Sequence, residues 1–186
     1  MPSVRTYIGI GSNLNNPANQ VRQAFQALTE LPASRLTACS PWYRTAPVGG
    51  PAGQPDYLNA VAALETELTA DALLAMLQAI EIAQGRVRTE RWGPRTLDLD
   101  LLLYGLVTCD DPQLTLPHPR LHQRAFVLYP LYDIAPELTI PRLGPLTILL
   151  KNCPPLSITR LDIENEPVTI MPSNPFSLKS FSNPPP

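Results

Sequence analysis

Lysine is nearly missing from this chain: of its 14 basic side chains, twelve are arginine and two are lysine. Histidine is as scarce, with only His118 and His122, and the three cysteines Cys39, Cys109 and Cys153 are scattered without a Cys-x-x-Cys pair. A zinc centre built from sulfur and imidazole therefore has no support. An odd number of thiols excludes complete pairing, and the expectation is a cytoplasmic protein with reduced cysteines. No apolar run approaches the roughly 18 residues needed to span a bilayer, and the N-terminus lacks a charged stretch followed by an apolar one. An excess of positive charge is missing too. Sixteen acidic against 14 basic residues leave a formal net charge of −2, whereas a general nucleic-acid binder is basic. No internal repeat is visible. What is present is 186 residues, 44% of them hydrophobic, enough for one acidic domain with a core.

Proline, by contrast, is abundant at 23 residues, and its placement divides the chain. Six prolines follow Arg160, in a stretch that also carries Ser173, Ser177, Ser180 and Ser182 and closes on Pro184-Pro185-Pro186. Residues 161–186 are therefore expected to form a Pro/Ser-rich, disordered extension of a single domain at 1–160. Within that domain, Val4 to Ile10 reads as a strand, with Val4, Ile8 and Ile10 on one side and a Gly-Ser-Asn turn after it. Asn16 suits a helix N-cap and Pro17 a first helical position. Val21, Phe25 and Leu28 follow as an apolar stripe before Pro32. Arg35 to Thr45 reads as one strand and Asp56 to Glu65 as another. Between them Ala46 to Pro55 holds three glycines and three prolines, a long irregular loop of the kind that serves as a lid. A helix over about 70–84 buries Leu73, Leu77 and Ile80 and stops at Gly85.

Chemistry concentrates in Arg91 to Asp100, Arg-Trp-Gly-Pro-Arg-Thr-Leu-Asp-Leu-Asp. Alternation along a strand puts Leu97, Leu99, Leu101 and Leu103 on one apolar face and Thr96, Asp98 and Asp100 on the other. Two carboxylates roughly 7 Å apart disfavour each other unless a cation sits beside them. Magnesium fits, because it takes one or two protein carboxylates and completes its shell with water and phosphate oxygens. Arg86, Arg88, Arg91 and Arg95 lie within ten residues just upstream, and the guanidinium fork suits phosphate. Trp92 and Gly93-Pro94 add an aromatic platform and a turn. A solvated edge-strand face is the plain alternative for Asp98 and Asp100, and a nonspecific basic patch for the arginines.

Other segments say less alone. Tyr57 and Asn59 share a strand face and suit a flat heterocycle, or are simply a half-buried tyrosine and a turn-supporting asparagine. Glu81 falls on the edge of its helix's apolar stripe, with Gln78 just past it. Gly9-Ile10-Gly11-Ser12-Asn13 is not a dinucleotide fingerprint: the third glycine would fall at Leu14, and no Gly-Lys-Ser/Thr follows. A structural turn, letting the chain pass close to the sheet, is the expectation.

The constellation resembles the 6-hydroxymethyl-7,8-dihydropterin pyrophosphokinase family. The resemblance runs from about Tyr7 to Leu150 and is carried by Ile10 to Asn13, Tyr43-Arg44-Thr45, Pro55 to Asn59, Gln84 to Arg88, Arg91 to Asp100 and Pro117-His118-Pro119-Arg120. It implies an α+β, ferredoxin-like fold with a central antiparallel sheet and flanking helices. It also implies transfer of pyrophosphate from ATP to the hydroxymethyl group of a reduced pterin, releasing AMP. Asp98 and Asp100 would then hold two Mg2+ ions, while Arg86, Arg88, Arg91 and Arg95 occupy the phosphate-gripping loop. Gln78, Glu81, Arg88, Arg95, Thr115, His118 and Arg124 match the ATP side. Thr45, Tyr57, Asn59, Trp92 and Phe126 match the pterin side, with Trp92 and Phe126 sandwiching the ring. Implied partners are ATP and the pterin, with no nucleic acid and no membrane, for a chain acting as a monomer. Ala46 and Pro119 depart from the pattern of better-known members, and the loop between Arg88 and Arg91 is shorter than in some. Two other classes use parts of this set: a magnesium-dependent hydrolase needs no pterin pocket, and a metal-free nucleotide- or RNA-binding module has no use for the acidic pair.

Overall fold

The computed structural model describes residues 2–49, 51–86 and 93–161. In chain order they form β1 (Val4–Ser12), α1 (Pro17–Thr29), β2 (Ser34–Cys39), β3 (Trp42–Thr45), β4 (Tyr57–Thr66), α2 (Ala70–Ala83) and β5 (Asp98–Tyr104). Beyond these lie the short ladder β6 (Cys109–Asp110) with β7 (Thr115–Leu116), then α3 (Ala125–Ile134). A second short ladder, β8 (Thr139–Ile140) with β9 (Gly144–Pro145), is followed by α4 (Leu146–Asn152) and β10 (Ile158–Leu161).

β1 is the axis of a six-stranded sheet with the order β10-β3-β4-β1-β5, and every pairing in it is antiparallel. The ten residues of β4 serve two partners along its outer edge: β2 pairs with its C-terminal half and β3 with its first residues. Split strands joined by helices in the order βα(ββ)βαβ, with β1 inside, are the expected ferredoxin-like α+β architecture. Arg35 to Thr45 is two strands instead of one. The break falls at Ser40-Pro41, where proline has no amide for a ladder. Ser40 bridges the gap, its N–H donating to Val61 O at 2.9 Å and its Oγ accepting from Val61 N at 2.9 Å.

Both long helices start as their sequences dictate. Asn16 accepts from the Asn19 amide at 3.3 Å with Pro17 opening α1, and Thr69 accepts from Ala72 N at 3.2 Å to open α2. Just beyond α2, Gly85 takes a left-handed φ of 77°, open to glycine at little cost. Val21, Phe25 and Leu28 of α1 and Leu73 and Leu77 of α2 pack on one face of the sheet, against Ile8, Ile10, Leu64, Leu97, Leu99 and Leu101. Each such fully buried leucine contributes about 1.5–3 kcal/mol. α3 and α4 cover the opposite face, over Tyr7, Val61, Ala63, Leu102 and Leu103.

That division corrects the expected four-leucine face. Ile8 lies across from Leu101 and Tyr7 from Leu103, so Leu102 is an extra residue in the ladder. This β-bulge rotates the strand after Leu101 and moves Leu103 into the second core. The first strand also outruns its expected end, because Gly11 and Ser12 remain in register with β4 and Gly11 also with β5. At the other end β10, which pairs with β3, takes in Leu161; the remainder of the expected proline-rich tail lies outside the described residues. Among the described residues no helix is long and apolar enough to cross a membrane.

Candidate active site

The site grows from one row across the sheet. Asp98 on β5 lies opposite Gly11 on β1, and Gly11 lies opposite Asn59 on β4; one step along, Asp100 lies opposite Gly9. Because β1 carries glycine at both positions, no side chain stands between the carboxylates and Asn59. A Cβ at Gly11 would meet Asn59 Oδ1 at 3.4 Å, and one at Gly9 would press Leu102 Cδ2 at 3.3 Å. The glycines thus keep a trough open across the strand, a role the sequence reading of a structural turn did not include.

Two cavities meet along that trough, and Arg95, Asp98 and Asp100 line both. The smaller, about 350 Å³, has Gly9 and Gly11 at its base and is walled by Thr45, Tyr57, Asn59, Arg120, Arg124 and Phe126, with Ala46, Val48 and Gly49 from the irregular loop after β3. Its polar groups are held before any ligand arrives: the buried Asn59 donates from Nδ2 to Thr45 Oγ1 at 2.8 Å, and Tyr57 OH donates to Gly93 O at 3.2 Å. Phe126 presents an aromatic face, with the Arg124 guanidinium 5.6 Å from its centroid. Trp92, the expected second face of the sandwich, lies outside the described residues, as do Arg88 and Arg91.

The larger cavity, about 610 Å³, opens beside the outer edge of β5. It collects Gln78 and Glu81 from α2, Arg86, Arg95, Thr115 and His118. All the expected nucleotide-side residues among those described therefore share it except Arg124, which stands on the wall of the smaller cavity and donates to Asp100 Oδ2 at 3.3 Å. Glu81 is turned inward to a structural task. It is 3% exposed, accepts from Leu99 N at 2.6 Å and pairs with Arg86. Arg86 also reaches Asp98 Oδ1 at 2.8 Å, so this first arginine of the basic segment is folded onto the acidic pair.

Asp98 is gripped on both oxygens, by Arg86 and by Arg95 at 2.6 Å. Burial, with the Asp98 carboxylate next, pushes the Asp100 carboxyl well above the usual carboxylate range. A cation beside the pair relieves this conflict. Among the described residues no cluster of three or more His, Cys, Asp or Glu side chains forms a closed metal cage. An open, two-carboxylate donor set fits magnesium, which draws its other ligands from water and phosphate. Burial, reinforced by Arg124, pushes the His118 imidazole down to about 4, so it is neutral near pH 7. Its Nδ1 accepts from Arg120 N at 3.2 Å, which leaves the proton on Nε2, 3.8 Å from Asp100 Oδ2. The side chain is thus a hydrogen-bond donor facing the shared wall.

Asn13, quoted in the motif but given no role from the sequence, anchors this wall. Its backbone N–H donates to Arg95 O at 3.1 Å, its Oδ1 accepts from Arg95 N at 2.8 Å, and its Nδ2 donates to Pro55 O at 3.1 Å. One side chain therefore fixes both the start of the acidic segment and the end of the irregular loop. The signal in the sequence was a buried-type asparagine directly after a strand, and nothing there named its distant partners.

Comparison with known proteins gives the family. A Pseudomonas aeruginosa 2-amino-4-hydroxy-6-hydroxymethyldihydropteridine pyrophosphokinase is 52% identical over 157 residues, covering 84% of this chain and 96% of that one. The protein of that name from Haemophilus influenzae is 48% identical over 148 residues, 80% of this chain and 92% of that one. Among solved structures, a crystal structure of HPPK-DHPS in complex with substrates superposes with a TM-score of 0.66 at 12% identity, over 82% of this chain and 43% of that one. A Plasmodium falciparum HPPK-DHPS triple mutant with pteroate gives 0.62 at 13% identity, over 81% and 43%. The chain spans less than half the length of those structures, and at such identity the likeness concerns the fold alone. The family model for 7,8-dihydro-6-hydroxymethylpterin-pyrophosphokinase matches residues 7–136, the stretch that carries most of β1, both cavities and the acidic pair, and this chain belongs to that family.

Proposed function

We propose that the chain transfers pyrophosphate from ATP to the hydroxymethyl group of 6-hydroxymethyl-7,8-dihydropterin and releases AMP, a reading supported by relatives named as pyrophosphokinases of that pterin. The observation that carries this reading is the meeting of two unlike cavities at one acidic pair. A hydrolase needs one pocket and a water; a transferase needs two pockets and a shared wall.

In this reading the smaller cavity takes the pterin. Phe126 packs against the ring, Asn59 and Thr45 supply paired donor and acceptor groups to its edge, and Tyr57 closes the side. The larger cavity takes the nucleotide, with Gln78, Thr115 and His118 around it. Asp98 and Asp100 would hold magnesium, two ions by family resemblance, which supplies positive charge to the phosphate oxygens as they become more negative. The chain's own contribution is position. The hydroxymethyl oxygen is held at the shared wall for in-line attack on the β-phosphorus, while Arg95, between the cavities, faces the phosphates. His118 donates from Nε2 and need not shuttle a proton. Catalysis by placement and charge needs no strong base, and the charged groups on the shared wall are two aspartates and one arginine.

The test is a nucleotide assay with ATP, magnesium and the reduced pterin. AMP formed only when the pterin is present supports the reading. ADP and phosphate formed without pterin would replace it with a hydrolase.

A further inference from the structure

The smaller cavity holds one charged side chain to which neither the sequence nor the proposed chemistry gave a task. Arg120 lies in the segment between β7 and α3, half-buried, and lines the same cavity as Arg124 and Phe126. The backbone beneath it is fixed from both sides. His118 N–H donates to Leu102 O at 2.9 Å, Arg120 N–H donates to His118 Nδ1 at 3.2 Å, and Leu121 is fully buried in the second core. The position of this residue at the cavity is thus set by the fold and not by a wandering loop.

Charge at this wall is arranged by position. Arg95 lies against Asp98 at 2.6 Å and Arg124 against Asp100 at 3.3 Å, so each guanidinium is seated on a carboxylate. Arg120 adds a third guanidinium to the lining that would surround the acceptor. The acceptor alcohol is neutral when it enters, and in the proposed reaction it leaves as a diphosphate ester. An arginine on the acceptor side of the wall therefore meets no anion in the substrate but meets one in the product, where a charge-assisted contact is strong.

Resting on the functional reading above, we infer that Arg120 is a specificity-determining residue that recognises the diphosphate of the pterin product and distinguishes it from the neutral alcohol. Its backbone N–H, which orients His118, is retained in any side-chain variant, so the two roles separate experimentally.

The experiment is a fluorescence or calorimetric titration of wild type, Arg120→Gln and Arg120→Lys with 6-hydroxymethyl-7,8-dihydropterin and, separately, with its diphosphate ester. Loss of one charge-assisted contact predicts that Arg120→Gln weakens the diphosphate about tenfold while the alcohol stays within about twofold. Arg120→Lys, which keeps the charge and the carbon stem, is expected to fall between the two. The product-inhibition constant in turnover should rise by the same factor as the diphosphate affinity falls. Unchanged diphosphate affinity, or equal weakening of both ligands in a variant with an unaltered melting temperature, overturns the inference. If Arg120→Gln does not fold, Arg120→Lys decides alone: wild-type ratios between the two affinities overturn it, a reduced preference for the diphosphate upholds it. Wild-type protein that binds neither ligand would instead overturn the functional reading and this inference with it.

Discussion

The two cavities share three residues and differ in almost everything else. The larger is walled by α2, the basic segment and the β7 turn, stands at the outer edge of β5, and is dominated by charge: Glu81, Arg86, Arg95, Asp98 and Asp100, with the neutral His118 beside them. The smaller is cut into the sheet face itself, with glycines for a floor and Thr45, Tyr57, Asn59 and Phe126 among its walls. A flexible, highly charged donor such as a nucleotide triphosphate asks for electrostatic grip and tolerates an open edge. A flat heterocycle asks for shape and a few fixed hydrogen bonds, which only packed backbone provides. The difference teaches that one strand, β5, can serve both because its pleat and its position at the sheet edge expose the same carboxylates to two spaces.

The sharpest way to break the comparison is to remove what the cavities share. Asp98→Ala or Asp100→Ala should lower turnover about a thousandfold or more, since metal binding and phosphate charge both depend on them. The melting temperature should change little, because neither side chain enters a core. Pterin-dependent AMP release measured beside thermal unfolding checks this, and near-normal turnover in either variant would dismiss the metal assignment.

A control must damage the sheet without touching either cavity. Leu64 sits on β4 with Asn59 but faces the α1 and α2 layer, fully buried. Leu64→Ala should cost about 3 kcal/mol of stability in denaturant unfolding, with both ligand affinities of the folded protein preserved. If the ligands weaken as well, the cavities are less independent of the core than their walls indicate.

Asn59→Ala tests the smaller cavity alone. It strands Thr45 Oγ1 and removes a preset amide, so pterin affinity should fall about tenfold while nucleotide affinity stays within about twofold. Separate titrations with the pterin and an ATP analogue read the two numbers, and a parallel loss of both would merge the cavities into one functional unit.

The smallest effect belongs to a charge pair far from both cavities. Arg5 Nε lies 2.6 Å from Glu65 Oε1, and that hydrogen bond holds the Glu65 carboxyl below its usual value. A lowered carboxyl contributes stability that is present above the unfolded-state pKa and lost as the pH falls through the folded one. Arg5 is half exposed, so screening limits the contribution to about 0.5 kcal/mol. Glu65→Gln should remove it at neutral pH and change nothing in strong acid, without altering turnover at any pH, in contrast to Asp98 and Asp100.

Much of this architecture is legible in the chain itself. The caps at Asn16 and Thr69, the stripes of α1 and α2 and the stop at Gly85 are short-range patterns, and local chemistry writes them directly. Strand alternation put Asp98 and Asp100 together because a pleat has only two sides. Family resemblance located Thr45, Tyr57, Asn59, Phe126 and His118, all of which come to the two cavities. Short-range reading failed where a neighbouring strand intervened. The bulge that sends Leu103 to the second core exists only in register with β1, and the break at Ser40-Pro41 is bridged by Val61.

The sequence by itself determined the chemistry on offer: oxygen ligands without a sulfur or imidazole cage, arginine almost to the exclusion of lysine, and two carboxylates on one strand face. Only the tertiary structure decided who meets whom. Gly9 and Gly11 became the floor of a cavity, Glu81 became a buried brace in the wall of the larger one, Arg124 came to the wall of the smaller, and Arg120 came to stand beside it. The physical reason is range. Side-chain identity and backbone periodicity act over a few residues, whereas a cavity is the space left between elements from distant parts of the chain, and its shape exists only once they have packed.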